Sequence, residues 1–169
     1  MLRRISLLGL CAFACLTLSA CLVRTTVESS NLNGASSQSY KFANVNLASS
    51  AKEDVKPKTA EKIDKNFDKW SAKMGAAFDK QAGKKGIDGD GVAVSATVTK
   101  FNPGNRWLRW VWGYSRKSWA TATVQFDCGA AGSFTMEGEM RAGWWMGGTP
   151  TTLFNSMGRA AAKHLAKSE

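Results

Sequence analysis

The spacing of apolar positions along residues 40–169 predicts six elements. Tyr40 to Leu47, YKFANVNL, alternates polar and apolar residues around Phe42, the period of two that a half-buried strand requires. Beyond Ala48 the period lengthens. Ile63, Phe67, Trp70, Met74, Ala77 and Phe78 recur at three- and four-residue steps, which stacks them on one face of a helix. Pro57 and Thr59 suit its first turn, and Gly83 and Gly86 suit its end. The opposite face carries Lys, Asp and Glu: a solvated surface, or a lysine row for acidic lipids.

After GIDGDG the period returns to two. That hexapeptide has the outline of a calcium loop but lacks the later bidentate Glu, so it reads as a turn. Val92, Val94, Ala96 and Val98 then alternate with Ala93, Ser95, Thr97 and Thr99 in a strand reaching Phe101. A further strand spans Lys117 to Asp127, with Ala120, Ala122, Val124 and Phe126 on one face. The turn CGAAG leads into SFTMEGEMRAG, where Phe134, Met136, Gly138 and Met140 share a face, so these two strands form an antiparallel hairpin. The last segment is amphipathic at helical period, lined by Leu153, Phe154, Met157, Ala161 and Leu165. The predicted order is β-α-β-β-β-α: an α+β, two-layer domain with about four mainly antiparallel strands and two helices packed on one face.

The first 20 residues do not belong to that pattern. Arg3 and Arg4 precede an apolar run from Ile5 to Leu18, and small Ser19 and Ala20 stand before Cys21. The run is shorter than the roughly 20 apolar residues of a membrane span and matches a secretory signal peptide. Leu18-Ser19-Ala20-Cys21 also resembles the bacterial lipobox, which implies removal of residues 1–20 and attachment of diacylglycerol and an acyl chain (palmitate in type) at Cys21. Leu22 rather than Asp follows the Cys, which in enteric-type bacteria points to the outer membrane, facing the periplasm. Residues 21–39, polar and poor in aromatics, are expected to be a flexible tether, with 40–169 as the single domain. Of the four Cys, only Cys128 is then left as a free thiol, and burial is its expected fate.

Charge changes the picture of partners. The chain holds 23 basic and 13 acidic residues; without Arg3 and Arg4 the balance is 21 − 13 = +8. Such an excess favours anionic lipid, lipopolysaccharide or peptidoglycan, and export from the cytoplasm makes nucleic acid the least expected partner. Five basic residues and no acid lie between Gly91 and Phe126. Most of them fall in FNPGNRWLRWVWGYSRK, where Arg106, Arg109, Arg116 and Lys117 are interleaved with Trp107, Trp110 and Trp112. Indole rings suit a bilayer interface or a sugar face, and guanidinium forks suit phosphate or carboxylate. Two readings stand: an anionic-surface binding loop, or rings that cap the sheet end with arginines lying over them. A second Trp-rich stretch, AGWWMGGTP, precedes the last helix, which Thr149 can cap.

From about Val92 to Leu165 the chain resembles an uncharacterised bacterial lipoprotein family catalogued as domain of unknown function 4410. The resemblance lies in TKFNPGNRWLRWVWG, the strand ending at Asp127, GSFTMEGEMRAGWWMGG and the alanine-rich last helix. It implies an envelope location and a fold type, and no reaction.

Nothing in the sequence assembles a catalytic centre. His164 is the single histidine, set in the last helix. Glu137 and Glu139 share the face opposite Met136 and Met140, the solvated side. No His or Cys cluster has metal-ligand spacing, and no phosphate loop or nucleophile elbow occurs. The expectation is a protein that is not an enzyme and needs no cofactor. Its role is binding or structural, or it serves as an adaptor subunit among envelope proteins.

Overall fold

The structure, a computed structural model, describes residues 21–104, 119–142 and 149–168. Five strands and two long helices follow one another as β1 (Cys21–Leu32), β2 (Tyr40–Leu47), α1 (Pro57–Lys85), β3 (Val92–Asn102), β4 (Ala120–Asp127), β5 (Gly132–Ala142) and α2 (Pro150–Leu165). The sheet order is β1-β5-β4-β3-β2. The α+β layering and the mainly antiparallel pairing match the expectation, which two details refine.

First, the sheet has a fifth strand. Residues 21–32, expected to be tether, form β1 and pair antiparallel with β5 from Cys21↔Ala142 to Leu32↔Gly132. The physical reason is a weak alternation hidden in polar sequence. Val23, Thr25 and Val27 turn half-buried toward the helices, while Arg24, Thr26 and Glu28 turn outward. Ala35 beyond the strand is fully buried, and the Ser36 N–H donates to the Ser168 carbonyl at 2.8 Å. Second, the sheet is mixed. β2 and β3 run parallel, joined by α1 as a crossover, whereas the other pairings are antiparallel.

The buried positions of the strands lie on one face, under both helices. Val94, Ala96 and Val98 of β3, Val124 and Phe126 of β4 and Met136 and Met140 of β5 are all at most 1 % exposed. The helical stripe read from sequence is core: Ile63, Phe67, Trp70, Met74 and Phe78 are buried. Phe154 of α2 meets Phe67 at 6.2 Å, Trp70 at 5.9 Å and Phe101 at 5.5 Å between ring centroids, locking both helices to β3. Phe126 and Phe134 stack at 4.8 Å across the predicted hairpin.

The helix ends follow local chemistry. Pro57 opens α1, where its missing N–H costs nothing. Gly86 closes it at φ 69°, a left-handed conformation that lets its N–H reach the Ala82 and Gly83 carbonyls. Thr149 occupies the N-cap position of α2 without bonding the helix backbone through its side chain; its hydroxyl lies 3.5 Å from that of Thr152. The GIDGDG segment is a turn in which Asp90 pairs with Lys41 at 2.6 Å.

Candidate functional site

Strand register brings four chain positions to one end of the sheet. β1 starts there and β5 finishes there, since Cys21 pairs with Ala142. β4 starts there, with Ala120 opposite Met140. β3 finishes there, with Asn102 opposite Thr121. The first Trp-rich segment therefore leaves this end after Gly104 and returns to it at Trp119. The second leaves it after Ala142 and returns at Thr149. Arg106, Trp107, Arg109, Trp110, Trp112, Arg116 and Lys117 lie outside the described residues, as do Trp144 and Trp145. What the structure supplies is the placement of their roots beside Cys21, a juxtaposition the sequence alone could not establish.

A charged aromatic cluster stands at those roots. The Arg141 guanidinium lies 4.2 Å from the Trp119 ring centre, and its Nε donates to Glu139 Oε1 at 2.6 Å. Trp119 precedes β4 and Arg141 is one residue from the end of β5, so one stack ties both loops' bases together. Asn102 Oδ1 accepts the Gly104 N–H at 2.8 Å and begins the turn out of β3.

From the same end, a concavity of about 580 Å³ extends over the face of the sheet opposite the helices. Thr121 and Thr123, Glu137 and Glu139, and Arg24 and Thr26 line it from three adjacent strands, with Lys100 and Asp54 at its side. This is the solvated side that alternation predicts for Glu137 and Glu139. Hydroxyls, carboxylates and two cations offer hydrogen bonds to a polar solute. Among the described residues neither His nor Cys lines the concavity, so none of them pairs a nucleophile with an imidazole base there.

The two residues that could have suggested nucleophilic chemistry are separately occupied. Cys128 is fully buried, and burial, aided by the Asp127 charge, pushes its thiol up to about 12. His164 Nε2 lies 3.1 Å from Ser30 Oγ, and its ring meets Phe134 edge-on at 4.9 Å. Burial holds its pKa below the usual imidazole value. Among the described residues no three His, Cys, Asp or Glu side chains gather closely enough to hold a metal ion, and no helix is long and apolar enough to cross a membrane.

Sequence reasoning missed Arg24 and Thr26, because it treated β1 as tether, and it did not connect Trp119 with Arg141. The alternation Val23-Arg24-Thr25-Thr26-Val27 was the available signal for the first pair. The second needs the register of β4 against β5.

No family model matches the chain, and no curated protein matches it. Among solved structures it is similar to the PelC dodecamer of Paraburkholderia phytofirmans in two crystal forms. The form in space group P6 aligns at a TM-score of 0.41 and 10 % identity, and a single-residue variant in space group C2 at 0.40 and 12 %. Each alignment covers 88 % of this chain and 99 % of the other.

Proposed function

We propose that this chain is a lipid-anchored, non-catalytic protein of a bacterial outer membrane, held end-on against the bilayer by Cys21 and by the two Trp-rich loops. The observation that carries this reading is the Cys21↔Ala142 pairing, which puts the lipobox cysteine and the roots of both loops at the same end of one sheet. β1 begins at Cys21 itself, so acyl chains on that residue would enter the membrane with almost no slack. The sheet end would then be pressed to the headgroups. Tryptophans favour that interfacial depth, and Arg106, Arg109 and Arg116 favour anionic headgroups. Diacylglycerol and an acyl chain together would give stable attachment, and basic-aromatic segments rooted at the same sheet end would add a headgroup contact.

Two measurements test the reading. Metabolic labelling with a lipid precursor should mark the wild-type chain and leave the Cys21→Ala variant unmarked and released from the membrane fraction. The soluble chain from residue 22 should bind anionic vesicles, weaken with salt, and lose roughly a hundredfold in affinity in an Arg106→Ala, Arg109→Ala, Arg116→Ala variant, at about 1 kcal/mol per basic residue. A Cys21→Ala variant that stays membrane-bound with unchanged mobility would overturn the anchoring. Equal binding to neutral and anionic vesicles, or to neither, would return the arginines and tryptophans to a purely structural role.

A further inference from the structure

One surface is used neither by the sheet end nor by the concavity. Successive 100° steps along α1 place Lys58, Lys62, Lys65, Lys69 and Lys73, continued by Lys80 and Lys84, within an arc of about 100°. The centre of that arc lies about 130° from the centre of the buried stripe of Ile63, Phe67, Trp70, Met74 and Phe78, so the lysines form a crest on the side of α1 turned from the sheet. All seven are exposed. Among the described residues the ion pairs are Lys41–Asp90, Lys52–Asp64 and Arg141–Glu139, and none involves the crest.

The acids of α1 are segregated from it. Glu61, Asp64, Asp68 and Asp79 fall on one flank, and two of them are engaged elsewhere. Asp64 is held by Lys52 Nζ at 2.7 and 2.9 Å, and Asp79 Oδ1 accepts the Phe42 N–H at 3.1 Å. Like charges at three- and four-residue steps repel one another on a helix. The exposed positions of a helix can carry either sign, so an unmixed row of one sign is a surface that a line of opposite charges would complement.

Its shape selects the partner. From Lys58 to Lys84 the row extends about 39 Å at 1.5 Å per residue. α1 starts near the end of the sheet that bears Cys21, where Ser50 Oγ donates to the Thr99 carbonyl. It finishes at the far end, where the Ile87 carbonyl accepts the Tyr40 N–H. The row thus runs away from that end rather than across it. In the orientation proposed above, only Lys58 and its neighbours approach the headgroups, and the remaining crest faces the space beyond the bilayer.

We propose that the α1 crest binds a linear acidic polysaccharide, a chain of carboxylate- or phosphate-bearing sugars laid along the helix axis. The choice of a polymer over a flat lipid surface rests on the end-on reading of the sheet. The binding would be electrostatic and sequence-tolerant, and it would release counterions on contact.

The test uses the full chain in neutral-lipid nanodiscs, with alginate oligosaccharides long enough to span the crest as the probe and neutral dextran as the blank. Alginate should bind, dextran should not, and affinity should fall steeply with salt. A Lys62→Gln, Lys65→Gln, Lys69→Gln, Lys73→Gln variant should bind alginate at least tenfold more weakly with a shallower salt dependence, and should keep its helical circular dichroism. The Arg106→Ala, Arg109→Ala, Arg116→Ala variant should bind alginate as the wild type does. That loop variant and Cys21→Ala report on membrane attachment, so failure of the anchoring reading registers apart from failure of this one. Absence of alginate binding, or equal binding by the crest variant, would overturn the proposal. So would a crest variant that loses anionic-vesicle binding while the wild type ignores alginate, an outcome that makes the crest a lipid surface.

Discussion

Gly158 of α2 packs directly on the Met74 carbonyl of α1. A Cβ at position 158 would collide with that oxygen and approach the Phe78 amide at 3.2 Å, so the two helices cross at a contact only hydrogen can fill. Glycine inside a helix ordinarily costs about 1 kcal/mol relative to alanine. Here the close approach offsets it, because backbone cannot swing aside as a side chain can. Gly158→Ala is therefore expected to lower unfolding stability by about 1–3 kcal/mol despite the better helix former. Gly83→Ala is the control: its Cβ would sit 3.5 Å from Asp88 Oδ2, an ordinary contact. It should gain about 0.5–1 kcal/mol. Urea denaturation of both variants decides the point, and equal shifts would mean the helices separate easily.

His164 makes stability depend on acidity. Burial lowers its pKa in the folded state, with the ring placed between Ser30 and Phe134. The unfolded chain then binds more protons than the folded chain between that lowered value and the ordinary 6.5. Stability contributed by the neutral ring is present above pH 6.5 and is lost as pH falls through the folded pKa. Denaturation midpoints from pH 7.5 down to 5 should decline, and His164→Gln should flatten that part of the curve. A wild-type curve of identical slope in the variant would place the proton uptake elsewhere.

Cys128 carries the opposite dependence. Its folded pKa stands at about 12 against a reference of 9.0, because burial penalises the thiolate and Asp127 adds a like charge. The folded chain keeps this proton longer than the unfolded chain does, so the contribution is intact below pH 9 and is lost as pH rises toward 12. Reactivity follows the thiolate. At pH 8, a soluble Cys21→Ser chain lacking residues 1–20 should modify with iodoacetamide far more slowly when folded than in urea, roughly a thousandfold from ionisation alone. Comparable rates in the two states would show that the thiol is open to solvent.

Elements with a strong amphipathic contrast were legible from sequence. In β4, Ala120, Ala122, Val124 and Phe126 alternate with polar neighbours and all four are buried. The α1 stripe reads equally well, because a long helix repeats its period several times. β1 was not legible, since its inward positions include Thr25 and its outer half, Ser29 to Asn31, is wholly polar. An edge strand needs only a half-buried face, so its contrast is low. The parallel pairing of β2 with β3 leaves no local signature, as it joins Tyr40 to Val92 across an entire helix. The candidate site shows the same division. The outward face of Glu137 and Glu139 follows from alternation, whereas the meeting of Cys21 with Ala142 depends on long-range register.

That register also sets how far the fold depends on β1. Were residues 22–32 a tether, deleting them while keeping Cys21 would leave the domain as stable as before, because exposed polar linkers tolerate shortening. As β1, they cover the edge of β5, and Val23, Val27 and Leu32 pack against the core. Their removal would expose Met136 and Met140, which are nearly inaccessible in the intact fold, and leave the β5 edge unpaired. The deletion is expected to lower stability by about 2–4 kcal/mol and to promote association through the bared edge. Urea denaturation together with sedimentation would read both effects. A variant that unfolds at the same midpoint and sediments as the wild type does would restore the tether. It would also remove the constraint on which the proposed end-on attachment rests.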